Sequence, residues 1–319
     1  MSNRAIAEQA DTTATFPEIN KRWRKVKATI EGLLYLAPTL IILGIFTFLP
    51  IITSFNLSLN CVAPFGNQMR YVGLENYTRL LTDPEYWNTV RISLVFMAAT
   101  VIVGIILAVG MAIALSIPIK RLSWFHRLLI FVPIVISSAV TGVIFRWLYH
   151  PVVGYINYWL SIFGIDGPNW LATKDWALTA VIIAVIWNQL GFNVIIALAG
   201  VQKIDSTYYE AAKVDGANAW QRLRRITIPM VSPTTFFLLV IQMLGAFQIF
   251  VEPFVMTSNT QGQLPKASLS IVIYLYQNAF QFQRMGKAAA IAWVLFAIVL
   301  VLTFFQLRLQ RRWVHYETE

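Results

Sequence analysis

Residues able to do covalent chemistry are few in this chain, and their spacing argues against catalysis. Cys61 is the single cysteine, so it closes no intrachain disulfide and builds no multi-cysteine metal site. His126, His150 and His315 lie far apart, without the i, i+4 spacing that aims two imidazoles at one metal ion. There is no His-Glu-x-x-His, no Gly-x-Ser-x-Gly and no pair of buried carboxylates, the arrangements that would supply a nucleophile or a general base. A Gly-x-x-x-x-Gly-Lys-[Ser/Thr] loop to cradle nucleotide phosphates is also missing. Two polar constellations remain, and both suit recognition rather than bond breaking. One is an amide patch, Asn188, Gln189 and Asn193, inside an apolar run; the other is a charged stretch around Glu210 and Asp215.

The elements that must hold these residues are dictated by composition. Of 319 residues, 57% are hydrophobic and 13% charged, against roughly 45–50% and 25% in ordinary globular proteins. A water-soluble fold of this size has too little interior to hide so much apolar surface, so the chain is expected to be dissolved in lipid. About 20 apolar residues span the hydrocarbon layer, and six stretches qualify: 33–58, 92–117, 127–148, 177–201, 231–256 and 288–307. Pro38, Pro50 and Pro133 fall inside them, which lipid-embedded helices tolerate when neighbours satisfy the freed carbonyls. The first stretch is too long for a cleaved leader and follows a polar tail. A basic cytoplasmic tail (1–31), a transmembrane domain (32–312) and a short cytoplasmic tail (313–319) are therefore expected.

The formal charge of +10 acquires meaning from its distribution. With six spans and the amino terminus inside, seventeen of the 25 Lys and Arg fall in the tail, the 118–127 and 202–225 segments and the carboxy-terminal end. That asymmetry follows the positive-inside rule and predicts both termini in the cytoplasm. No basic stripe interleaved with aromatics is present, so nucleic acid is not an expected partner, whereas membrane lipid is.

The segment 202–230 is the longest cytoplasmic connection and is patterned like structure rather than linker. Thr207 and Glu210 have capping-box spacing, which predicts a helix start. The run to Asp215 favours helix, and Gly216 suits a left-handed stop. Asn218 is a good cap for a second helix carrying Trp220, Leu223 and Ile226 on one face before Pro229. The prediction is helix, tight turn, helix.

On these residues the sequence resembles the permease subunits of binding-protein-dependent ABC importers. The signature positions are Glu210, Ala211, Ala212, Asp215, Gly216, Ala217, Ile226 and Pro229. Arg127-Leu128-Leu129-Ile130-Phe131-Val132-Pro133, Gly142 to Leu148 and Gly154-Tyr155-Ile156-Asn157 are similar to the carbohydrate-type branch, which includes the maltose and glycerol-phosphate permeases. The resemblance implies an all-α integral membrane protein with six transmembrane helices, a type I ABC importer permease fold and a place in the bacterial inner membrane. It implies that the 202–230 loop couples to ATPase subunits, two of them, which bind ATP and Mg; this chain would hold no cofactor and no catalytic residue. A second homologous permease subunit and an extracytoplasmic solute-binding protein would complete the assembly.

The same resemblance places a solute pathway on the fourth and fifth spans, at Trp187, Asn188, Leu190, Gly191 and Val194 and at Gln242, Ala246 and Ile249. Amides inside a span need partners or a cavity. Glu252 and Arg146, near span ends, are expected at the water interface. A self-contained secondary transporter or channel is the competing class, but such proteins carry ionisable residues at mid-span, and here those positions hold none.

Overall fold

A computed structural model describes residues 19–62, 69–116, 123–257 and 270–313. The chain divides after Asn56 into two units. The first contains α1 (Ile19–Leu43), a π-helical turn (Gly44–Phe48) and most of α2 (Leu49–Ser58). Its widened turn has a local cause. Pro50 has no N–H and its ring would collide with the carbonyl four residues back, and the Leu49 N–H instead bonds the Gly44 carbonyl one residue further away.

The second unit begins with a short hairpin, β1 (Asn60–Val62) antiparallel to β2 (Met69–Tyr71), with Asn60 opposite Tyr71. Then follow α3 (Glu75–Leu81), α4 (Pro84–Ser116), α5 (Ser123–Val135), α6 (Ser138–Leu148), α7 (Tyr155–Ile162) and α8 (Lys174–Gln202). After a helical hairpin described below come α12 (Ser232–Phe247), α13 (Val251–Thr257), α14 (Ile271–Tyr276) and α15 (Met285–Trp313). The main core joins α4, α6, α8, α12 and α13 through Phe96, Phe145, Val185, Leu238, Phe247 and Met256. The most extensive pair is α4 with α8. Both carry fully buried alanines, Ala108 and Ala112 on one and Ala177, Ala180 and Ala184 on the other; small residues let helix backbones approach where lipid supplies no hydrophobic drive.

Among the described residues, four helices are long and apolar enough to cross a membrane alone, at Trp23–Ser58, Pro84–Ser116, Asp175–Gln202 and Met285–Gln310. They cover the expected first, second, fourth and sixth spans. The stretches expected as the third and fifth are each interrupted. Residues 127–148 divide into α5 and α6, because Ser137 adopts an extended backbone and caps α6 by accepting from the Val140 N–H. Residues 231–256 divide into α12 and α13 around Gln248. Glu252 also departs from expectation. It lies in α13 at 4% exposure, buried rather than at a water interface.

A second, smaller core packs Leu80, Tyr86 and Val90 against Ile271, Tyr274 and Ile291. Polar contacts close it. The Lys287 ammonium donates to Asp83 Oδ2 and to the Tyr274 hydroxyl, and that hydroxyl donates to the same carboxylate oxygen, each at 2.8 Å. Burial alone would raise the Asp83 carboxyl. The hydrogen bonds from Lys287, Tyr274 and the Glu85 backbone, with the ammonium charge, outweigh it and hold the group below the usual carboxylate range.

Candidate functional site

Two places gather the residues singled out by sequence. The first is the hairpin after α8, built from α9 (Ser206–Val214) and α10 (Ala219–Arg222), a π-helical turn (Leu223–Thr227) and α11 (Ile228–Met230). The start of α9 differs from the expected Thr207–Glu210 capping box. Asp205 is the N-cap, its Oδ1 accepting from the Thr207 N–H at 2.9 Å. A carboxylate at the positive end of a helix is a better acceptor than a neutral hydroxyl, so the anion two residues upstream takes the position. Hydrogen bonds from the Thr207 backbone and hydroxyl hold the Asp205 carboxyl below its ordinary range.

The stop of α9 is where Gly216 predicted it, and it accounts for three of the signature letters. The Asp215 N–H bonds the Ala211 carbonyl (3.0 Å), the Gly216 N–H bonds that of Lys213 (3.1 Å) and the Ala217 N–H reaches back to Ala212 (2.9 Å). The last two make a Schellman closure, which needs a left-handed residue at its corner; Gly216 supplies it at φ +76°. Asn218 then caps α10 in a reciprocal box with Gln221, both bonds 2.8 Å. Tyr209 and Thr227 share a hydroxyl–hydroxyl hydrogen bond of 3.0 Å that ties α9 to the π-helical turn on the returning side of the hairpin. Pro229 acts as Pro50 does: the Ile228 N–H bonds the Leu223 carbonyl across a widened turn. A bend of 58° then leads into α12.

The hairpin is tied down at its base and bare at its tip. A Cβ on Gly200 would stand 2.5 Å from Thr234 Oγ1, so the end of α8 and the start of α12 are in tight contact. Glu210, Ala211 and Asp215 are exposed, and so are large apolar groups, Val214 at 88% and Trp220 at 67%. Ile226 and Pro229 are half-buried on the stalk.

The second place is a cleft of about 260 Å³ between α8 and α12. Asn188, Gln189, Phe192 and Asn193 form one wall, and Ile241, Gln242 and Gly245 the other, with Ile134 of α5 at the rim. Of the eight pathway positions, only Asn188 and Gln242 line it. Trp187 stacks edge-on against Phe145 with ring centroids 5.4 Å apart, Leu190 is half-buried, and Val194, Ala246 and Ile249 belong to the core. Gly191 is a packing position: a Cβ there would lie 2.5 Å from the Ile130 carbonyl oxygen of α5. The set 187, 190, 191 and 194 and the set 188, 189, 192 and 193 occupy opposite faces of one helix. The amide-rich composition of the latter was the sequence signal for the face that meets the cleft.

Asn188 also holds the α5–α6 break. Its Nδ2 donates to Thr141 Oγ1 (2.8 Å) and to the Ile136 carbonyl (3.1 Å), with the Pro133 carbonyl at 3.4 Å. It satisfies the Ile136 carbonyl, just past the end of α5, while the Pro133 carbonyl also accepts from the Ile136 N–H. Gln242 is 7% exposed, and its Nε2 has no hydrogen-bond partner among the described residues. Its amide is packed toward Gly104 of α4, where an added Cβ would stand 3.0 Å from Oε1, and a buried donor left unmade costs about 1–3 kcal/mol. Among the described residues no group of three or more His, Cys, Asp or Glu is placed to hold a metal ion.

Comparison with known proteins places this architecture. The chain is 33% identical to the lactose transport system permease protein of Rhizobium radiobacter over 87% of its own length and 93% of the relative's. It is 30% identical to the sulfoquinovosyl glycerol transport system permease protein of Agrobacterium fabrum over 91% and 93%. For the sn-glycerol-3-phosphate transport system permease protein of the same organism the identity is 32%, over 89% and 95%. Among solved structures it is similar in fold to a bacterial alginate ABC transporter in complex with alginate pentasaccharide-bound periplasmic protein, with a TM-score of 0.80, 24% identity and 91% and 97% coverage. Residues 100–315 match the family model described as binding-protein-dependent transport system inner membrane component. A multi-pass helical membrane architecture, a helical hairpin at the end of α8 and that match together make this chain a member of the binding-protein-dependent transport system inner membrane component family.

Proposed function

We propose that the chain is the membrane-spanning permease subunit of an ATP-driven importer of a sugar or sugar-like solute in the bacterial inner membrane. It would work with a second homologous permease, two ATPase subunits that bind ATP and Mg, and an extracytoplasmic solute-binding protein. The names of the relatives, covering lactose, sulfoquinovosyl glycerol and glycerol 3-phosphate, support the solute class. Seventeen basic residues on one side support cytoplasmic termini and a cytoplasmic hairpin, with residues 1–31 and 313–319 as tails around the 32–312 transmembrane domain. The chain itself carries no catalytic role; it transmits the work of its partners.

The observation that carries this reading is the hairpin from Ser206 to Met230. Caps at Asp205, Gly216 and Asn218 and the Tyr209–Thr227 bond make it rigid, and a rigid element transmits displacement that a loop would absorb. Glu210 offers a charge-assisted hydrogen bond to an ATPase groove, beside Ala211 and Val214, which permit close apolar contact. Displacement there passes up α8, whose Asn188–Asn193 segment lines the solute cleft. In proteoliposomes holding the assembled complex, Glu210→Lys is expected to lower solute uptake at least tenfold while all subunits still copurify. Uptake at the unaltered rate by that variant would overturn the coupling role.

A further inference from the structure

A second cleft, of about 290 Å³, opens at the carboxy-terminal end of α6. Its floor is apolar, from Leu171 and Met256, while Arg146, Tyr149, His150 and Asn169 supply polar groups. Position in the fold separates it from everything above. Asn169 and Leu171 directly precede α8, whereas the hairpin directly follows it, and α8 has 29 residues, about 43 Å at 1.5 Å per residue. The cleft and the hairpin therefore lie at opposite ends of a membrane-spanning helix.

The donors in this cleft are under-used. The half-buried Arg146 makes one long contact, from Nη1 to the Val255 carbonyl at 3.5 Å, out of the five N–H donors that a guanidinium carries. Among the described residues no carboxylate pairs with it. His150 accepts at Nδ1 from the Val152 and Val153 N–H groups, both at 3.2 Å, which leaves Nε2 as the ring nitrogen without a partner among the described residues. The side-chain amide of Asn169 makes no hydrogen bond among the described residues, although its backbone carbonyl accepts three. Tyr149 is buried, with its hydroxyl donating to the Ala180 carbonyl, and lines the cleft with its ring. A half-buried cation, planar donors and an aromatic wall in a cleft at the small end of the ligand range match one charged sugar ring.

We propose that this cleft is an outer solute site that binds a monosaccharide unit through an anionic substituent, carboxylate or phosphate, with Arg146 as the anion ligand and Asn169 and His150 on the ring hydroxyls. It rests on the permease reading for its side of the membrane, and it is distinct from the cleft at Asn188 and Gln242. It would hold solute leaving the binding protein before the inner pathway opens, and it would favour anionic over neutral sugars at that step.

The test is saturation-transfer NMR on the assembled complex in phosphatidylcholine nanodiscs, with D-glucuronate and D-glucose as probes. Transfer to glucuronate is expected to exceed that to glucose at least threefold, to fall at least threefold in Arg146→Gln and to be partly restored in Arg146→Lys. Asn169→Ala, on an exposed loop, is expected to weaken transfer to both probes even if Arg146→Gln fails to assemble. Equal transfer to the two sugars, or transfer indifferent to all three substitutions, would overturn the proposal. So would loss of the glucuronate signal when phosphatidylglycerol replaces phosphatidylcholine, because the cleft would then be a lipid headgroup site. Solute-stimulated ATP hydrolysis by the Glu210→Lys complex, measured in parallel, reports on the permease reading alone.

Discussion

Gly216 sits at φ +76° because the Schellman closure needs a left-handed corner there. A β-branched residue at that corner costs roughly 1–2 kcal/mol, so Gly216→Val is expected to loosen the end of α9. Faster amide exchange at Ala217 than in the native chain would register it, and unchanged protection there would contradict it. Asp205 gives the other end a pH dependence with a definite sign. Its carboxyl is held below the ordinary range by the Thr207 backbone and hydroxyl, so capping is fully present above the usual carboxylate pKa and is lost as pH falls through the depressed one. The Asp205 carboxyl carbon should titrate at lower pH than an Asp in an unfolded peptide. Gly216 and Asn218 were legible in sequence because their roles depend on neighbours one to three residues away. Asp205 was not, since a threonine with a glutamate three residues on satisfies the same pattern, and only relative acceptor strength decides between them.

Apolar length finds where chain enters lipid, but it does not see breaks that other helices hold open. The 127–148 stretch reads as one span because its small polar residues, Ser137, Ser138 and Thr141, hardly lower its apolar character, and its division into α5 and α6 is secured by Asn188 about fifty residues away in α8. Replacing that amide by leucine leaves the Ile136 carbonyl and Thr141 hydroxyl without their donor, at about 1–3 kcal/mol. Asn188→Leu should therefore lower the unfolding temperature of the purified complex, and a retained temperature would count against the clamp. Asp83, Lys287 and Tyr274 do for α4, α14 and α15 what Asn188 does for α5 and α6. Lys287→Met strips the carboxylate of its cation and is expected to cost on the order of 2 kcal/mol. Because the Asp83 carboxyl is held low, that contribution is present above the ordinary carboxylate pKa and is lost as pH falls through the lowered one. No local motif marks such a triangle, whose corners lie up to 204 residues apart.

At the scale of the whole chain, α8 is the connecting piece. One uninterrupted helix runs from just after the cleft at Asn169 and Leu171, past the cleft at Asn188 to Asn193, to the hairpin that begins at Ser206. Composition and charge placement were enough to read a multi-helix membrane protein, and the cap and stop residues between Thr207 and Asn218 were enough to find the hairpin. The inner cleft was half legible: its amides stood out, but the face they share emerges only when Gly191 is seen pressed against the Ile130 carbonyl, which turns the other face into the core. The central claim is that the hairpin seats on an ATPase. A photoreactive benzoylphenylalanine placed at the exposed Ala211 of the assembled complex, with Val152 (85% exposed) as the control near the outer cleft, tests it directly. An adduct with the ATPase subunit from position 211 and none from position 152 is the result expected. Copurification of the ATPase with no adduct at position 211 would contradict it.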